Sequence, residues 1–202
     1  MDACRFPIHL LPKELYRVQY PGSGTTLFSN EGLVAADTAK VYDDEIHLGQ
    51  AVVKQFTWSS REFSPFISLF SDREHAENWA MKEPWHRTPR GVRGDDWTLL
   101  VIDTQLLGDA WLYKVSQLVS ALRLQIPDKA AQHIGGSFLC MHKIPAAAII
   151  EERDSKEVKE DRHVRKNLRG YSPDYLYGSD SEREMLQENY NTIFEKNIED
   201  GW

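Results

Sequence analysis

Ser64–Ala80, SPFISLFSDREHAENWA, is the stretch on which the fold reading turns. Pro65-Phe66-Ile67-Ser68-Leu69-Phe70 is a short apolar run with the length of a buried strand. Ser71-Asp72 then breaks the run, and Ala76, Trp79 and Ala80 follow at helical spacing. Ser71 or Asp72 can accept a backbone N–H of the first turn, where Glu74 also suits the helix dipole. A strand that ends in a serine-flanked corner and opens a helix leaves hydroxyls and free N–H groups where a ligand can dock.

Upstream, Glu14–Gln19 (ELYRVQ) alternates Leu15 and Val18 around Tyr16 and Arg17 and predicts a first strand. Pro21–Thr26 (PGSGTT) is a turn that carries neither GxGxxG nor GK[ST]. Gly32–Ala36 reads equally as loop or strand. Leu48, Ala51, Val52 and Phe56 share a helical face within His47–Phe56. Downstream, Trp97–Asp103 (WTLLVID) predicts a central strand. Trp111–Leu124 has the spacing of an amphipathic helix. Ser137–Met141 and Ala146–Ile150 predict strands on either side of a kink at Ile144-Pro145. Glu151–Arg169 mixes both charge signs with little to bury, predicting a solvated helix or a disordered segment. Ser181–Glu184 opens a last helix with a capping-box pattern. The organisation expected is a domain over residues 1–150 and a charged, helical C-terminal extension over 151–202.

Composition sets limits on function. Of 202 residues 27% are charged and the net charge is −7, which disfavours a broad nucleic-acid or anionic-membrane surface. Two cysteines, Cys4 and Cys140, offer no disulfide framework, and Cys140 reads as a buried thiol. No apolar run approaches a membrane span, and the first residues lack a secretory leader pattern. A reducing, cytoplasmic setting is the expectation. The seven histidines show no HExxH or paired spacing, so no metal is expected. His75 follows the corner on its helix, at the surface or the cleft, and His142 lies in an apolar run as a core histidine would. The basic loop Trp85–Arg93 is a candidate for a phosphate or an acidic partner. No Gx[ST]xG elbow or nucleophilic cysteine context is present.

Taken in order, a first-strand arginine, a strand–serine–turn–helix corner and a late strand entered from a small loop resemble the ADP-ribosyltransferase-like fold. More narrowly, LYRV (15–18), SPFIS (64–68), an IDT strand (102–104) and an IPA strand (144–146) resemble fungal domains of that type. The resemblance covers residues 14–150. It implies an α+β fold with a split mixed or antiparallel sheet and flanking helices, and a cleft for NAD as co-substrate. By it, Arg17 would contact the NAD phosphates, Ser68 would hold the nicotinamide ribose, and Tyr16, Phe70 and Ser71 would complete the cofactor contacts. The family's Ser-Thr-Ser is here Ser68-Leu69-Phe70. The glutamate that normally precedes the late strand and stabilises the oxocarbenium-like ribose falls on Ser137, which carries no charge. Three functions follow as expectations: an ADP-ribosyltransferase or NAD glycohydrolase with Arg17, Ser68 and Ser137 at its centre; a degenerate member that binds a nucleotide or a protein partner; and an enzyme turned to another small molecule, as in a fungal biosynthetic pathway.

Overall fold

In a computed structural model, which describes residues 4–57, 63–82 and 95–169, the apolar runs become strands of two antiparallel sheets. The larger has the order β6-β7-β4-β1-β5-β9, from Leu112–Lys114, Ser137–Met141, Phe66–Phe70, Glu14–Gln19, Thr98–Asp103 and Ile149–Asp154. The smaller is β2-β3-β8, from Thr25–Phe28, Gly32–Ala35 and Lys143–Pro145. The described helices are α1 (Glu45–Gln55), α2 (Arg73–Lys82), α3 (Val115–Ala121), α4 (Asp128–Ala131) and α5 (Ser155–Arg169). The class is α+β, as expected.

Alternation along the strands divides the core. Leu15, Ile67, Leu69, Leu100, Ile102, Phe138 and Cys140 face Leu33 and Ile144 of the smaller sheet, forming one inter-sheet core. The opposite face of the larger sheet carries the helices in two groups. Phe66, Leu139 and Met141 pack with Leu48 and Val52 of α1 and Val115 and Leu118 of α3. Val18, Phe70 and Leu99 pack with Ala76 and Ala80 of α2 and Val158 of α5. Fully burying each of these aliphatic side chains contributes about 1.5–3 kcal/mol.

Local chemistry explains the helix starts. Asp44 caps α1 by accepting from the His47 N–H at 2.8 Å, and Asp72 rather than Ser71 caps α2, accepting from the His75 N–H at 2.6 Å. At α5, Asp154 accepts from the Glu157 N–H at 2.8 Å while Glu157 accepts from the Asp154 N–H at 3.1 Å, a reciprocal capping box.

The structure corrects three readings. The helix expected over Trp111–Leu124 begins only at Val115, because Leu112–Lys114 pairs with Phe138–Cys140 as an edge strand. Leu112 faces the inter-sheet core and Tyr113 the helical side, a two-residue alternation that satisfies both layers. Glu151–Arg169, read as a solvated helix or a disordered segment, is helical as α5 from Ser155 but starts with the end of strand β9, paired along β5. Val158 is its buried anchor, and Glu77 of α2, itself fully buried, draws in Arg165 at 2.6 Å and Arg73 at 2.9 Å. His142 is not a core residue: it turns the corner between β7 and β8 with φ of 64°, and its Nε2 meets the Lys40 carbonyl at 2.7 Å. The Trp85–Arg93 loop and the helix from Ser181 lie outside the described residues.

Candidate functional site

β1 and β4 share a single register position, Tyr16 opposite Phe70. β4 is otherwise paired with β7, and β1 with β5. Where the β1–β4 ladder stops, Arg17 takes over. Its Nη1 donates to the Ser68 carbonyl at 3.1 Å and its Nη2 to Thr25 Oγ1 of β2 at 3.1 Å. One side chain thus links β1, β4 and the smaller sheet. Thr25 is held in turn by Gln19, whose Oε1 accepts its hydroxyl at 2.7 Å.

Above this junction, on the helical face and between the two helix groups, lies a cleft of about 1200 Å³. Its floor is the alternate set Phe66, Ser68 and Phe70, with Ser137 of β7 beside Phe70. α1 supplies His47, Gln50, Lys54 and Gln55 to one wall, the β1–β2 turn another, and Trp79 of α2 closes an end.

The electrostatics centre on Arg17. It is 7% exposed, its Nε has no hydrogen-bond partner, and no carboxylate pairs with it among the described residues. Burial accordingly pushes its pKa below the ordinary arginine value. A buried cation without a counter-charge is costly unless something anionic joins it. Ser68 is positioned by a relay: Ser64 donates to Gln55 Oε1 at 2.5 Å, and Gln55 Nε2 donates to Ser68 Oγ at 2.9 Å. With its lone pair engaged, the Ser68 hydroxyl proton is free to point at a ligand. Rings flank Ser68 two residues away on each side, about 13 Å apart along the strand. Phe66 stacks on Tyr42, and Phe70 meets Trp79 and His75.

Arg17, Ser68, Phe70 and Ser137 therefore line one cleft, although they come from three strands. Tyr16 and Ser71 do not line it. Tyr16 packs beside Phe70 against the α2 group, and its hydroxyl donates to Glu14 Oε2 at 2.8 Å. Burial and that carboxylate push its pKa up to about 12. Ser71 donates its N–H to the Gly136 carbonyl at 2.8 Å and joins the corner to the glycine pair. Ser137 is buried, and its hydroxyl donates to the His133 carbonyl at 2.5 Å. The described carboxylates of the lining are Asp43 and Asp44, and Asp44 is already occupied by the α1 cap and a close contact with the His47 ring.

Two site residues were not legible as such. Gln55 ends α1 as an ordinary helix residue, and its place over Ser68 depends on how α1 crosses β4. His133, in the turn after α4, lines the cleft with its Nδ1 2.9 Å from His75 Nε2, a partner 58 residues away. Burial and the facing imidazole hold His133 down at about 4, and burial lowers His75 as well. Cys140 is remote from the cleft, buried in the inter-sheet core, which pushes its thiol up to about 12. Among the described residues no group of three or more His, Cys, Asp or Glu is placed to hold a metal ion, and no helix is long and apolar enough to cross a membrane.

No curated protein matches the chain. Among solved structures it is similar to EcPltA, with 13% identity and a TM-score of 0.46, over 70% of this chain and 74% of that one. A likeness at that level assigns neither fold nor activity. The model of one family, described as a domain of unknown function (DUF7587), matches residues 10–158, and the chain belongs to that family.

Proposed function

We propose that this protein is an ADP-ribosyltransferase-like protein whose cleft binds NAD and breaks its nicotinamide–ribose bond, passing ADP-ribose to a side chain or to water. The single observation that carries the reading is Arg17, a buried guanidinium facing a large cleft with no carboxylate partner among the described residues. Guanidinium is suited to phosphate, and a pyrophosphate would supply the missing charge. The order of groups on the floor supports a dinucleotide over a mononucleotide. Ser68 and Arg17 lie at the middle, with aromatic rings towards both ends, matching a ligand with an anionic centre and a ring at each end. The cleft volume exceeds what a drug-sized ligand needs. The motif order in the sequence supplies the link to ADP-ribosyl chemistry.

In this reading Arg17 neutralises the phosphates and Ser68 donates to the ribose. Phe70 and Trp79 shield the bond that breaks and keep the ring stacked. A second reading, a nucleotide-binding protein without turnover, is favoured by Ser137, because its neutral hydroxyl already donates to the His133 carbonyl and offers no negative charge to an oxocarbenium-like ribose. Quenching of tryptophan fluorescence on titration with NAD, followed by assay of released nicotinamide, separates the two. Saturable quenching with release supports the enzyme, saturable quenching without release the binding protein. Absence of quenching and of any thermal stabilisation by NAD overturns both.

A further inference from the structure

His133 and His75 form a hydrogen-bonded imidazole pair set into the cleft at the end where Phe70 and Ser137 sit. The rings are nearly perpendicular, with centroids 5.0 Å apart. His133 is the member in the cleft wall, and His75 lies behind it on α2. With Nδ1 committed to His75, the remaining ring nitrogen of His133, Nε2, has no partner among the described residues. The backbone carbonyl of His133 accepts the Ser137 hydroxyl, which fixes the turn that carries the imidazole against the strand position where the family resemblance expects an acid. A pair of neutral imidazoles shares one proton between them. When His133 Nδ1 donates to His75 Nε2, His133 Nε2 presents a bare lone pair to the cleft.

We propose that His133 is the proton acceptor of this site and His75 its positioning partner, an inference that rests on the cleft being an NAD site. The bond between the ribose C1′ and the nicotinamide nitrogen breaks, and its electron pair stays on that nitrogen. A water oxygen forms the new bond to C1′, and the proton that water loses passes to His133 Nε2. The products are ADP-ribose, nicotinamide and one proton, which the imidazole returns to solvent. Charge stabilisation of the ribose by a carboxylate is replaced here by removal of the attacking water's proton. Burial leaves the His133 lone pair unprotonated at neutral pH, and makes it a weaker base than an ordinary histidine. The charged groups facing the pair are Asp72 and Lys82, both from α2 or the residues that cap it.

The test compares the 202-residue chain with its His133→Ala, His133→Gln and His75→Gln variants, each checked for folding by its melting curve, with NAD as the probe. Binding is read by calorimetry and turnover by released nicotinamide. The expected result is a fall of about a hundredfold in kcat for both His133 variants, with Kd within about threefold of the parent and partial rescue of His133→Ala by added imidazole. His75→Gln should lower kcat by less than the His133 variants do, with Kd unchanged, and should move the acid limb of the pH–rate profile, which a merely structural role would leave in place. A parent that releases nicotinamide as fast as folded His133 variants overturns the role of His133 alone. A parent that binds NAD without releasing nicotinamide overturns the proton-acceptor inference and leaves the binding reading standing. A parent that binds no NAD overturns that reading and this inference together.

Discussion

A guanidinium buried without a carboxylate is the least comfortable group among the described residues, and two neutral hydrogen bonds, to Ser68 and Thr25, do not replace a counter-ion. Arg17→Met should therefore fold with a stability within about 1 kcal/mol of the parent, because loss of the two hydrogen bonds offsets release of a desolvated charge. Thermal unfolding checks this, and a loss of several kcal/mol would mean that Arg17 is a structural linker instead. His133 gives a pH signature. Its folded pKa, about 4, lies below the ordinary histidine value of 6.5, so the unfolded chain binds the proton first as pH falls. Stability contributed by keeping it neutral is complete above pH 6.5 and is lost between 6.5 and 4, a change of about 2 kcal/mol after discounting for solvent screening. Unfolding measured across that window should show a shallower slope in His133→Gln. Arg17 and Ser68 could be singled out because the LYRV and SPFIS motifs carry the family resemblance that points to them. His133 could not, since nothing local distinguishes it and its partner arrives from another element.

At the scale of elements, Gly32 shows how closely the smaller sheet is fitted. It has φ of +92°, and a Cβ there would stand 2.2 Å from the Ile144 carbonyl oxygen on the paired strand. Gly32→Ala should cost about 2–4 kcal/mol, combining left-handed strain with displacement of β8. Denaturant unfolding would detect it, and an unchanged midpoint would count against the β3–β8 pairing. Glu77 plays the corresponding part between α2 and α5. Glu77→Gln leaves Arg73, Arg162 and Arg165 without their shared carboxylate. The loss should be about 2–4 kcal/mol, below the fully buried limit because all three arginines are part-exposed. Proteolysis within 155–169 should quicken in parallel. Periodicity located β1, β4, β5 and β7 because their burial is local and repetitive. It misread Leu112–Lys114 because a three-residue edge strand running into a helix retains helical spacing, and it under-read α5 because one valine and one distant carboxylate anchor a segment that is otherwise charged.

For the whole molecule, the consequential feature is a larger sheet whose β1–β4 ladder stops after one pair, with helices on either side of the gap. The α+β class follows from the strand and helix patterns. The cleft does not, because it is made by the spacing between two helix groups and by a side chain that reaches from one sheet to the other. The measurement that bears most directly on the central claim is calorimetric titration of NAD into the 202-residue chain and into its Arg17→Met variant. A single saturable site in the parent, weakened at least about thirtyfold in the folded variant, is the expected result. No binding by the parent, or equal affinity in both proteins, would contradict the assignment of Arg17 as the anchor of an anionic ligand.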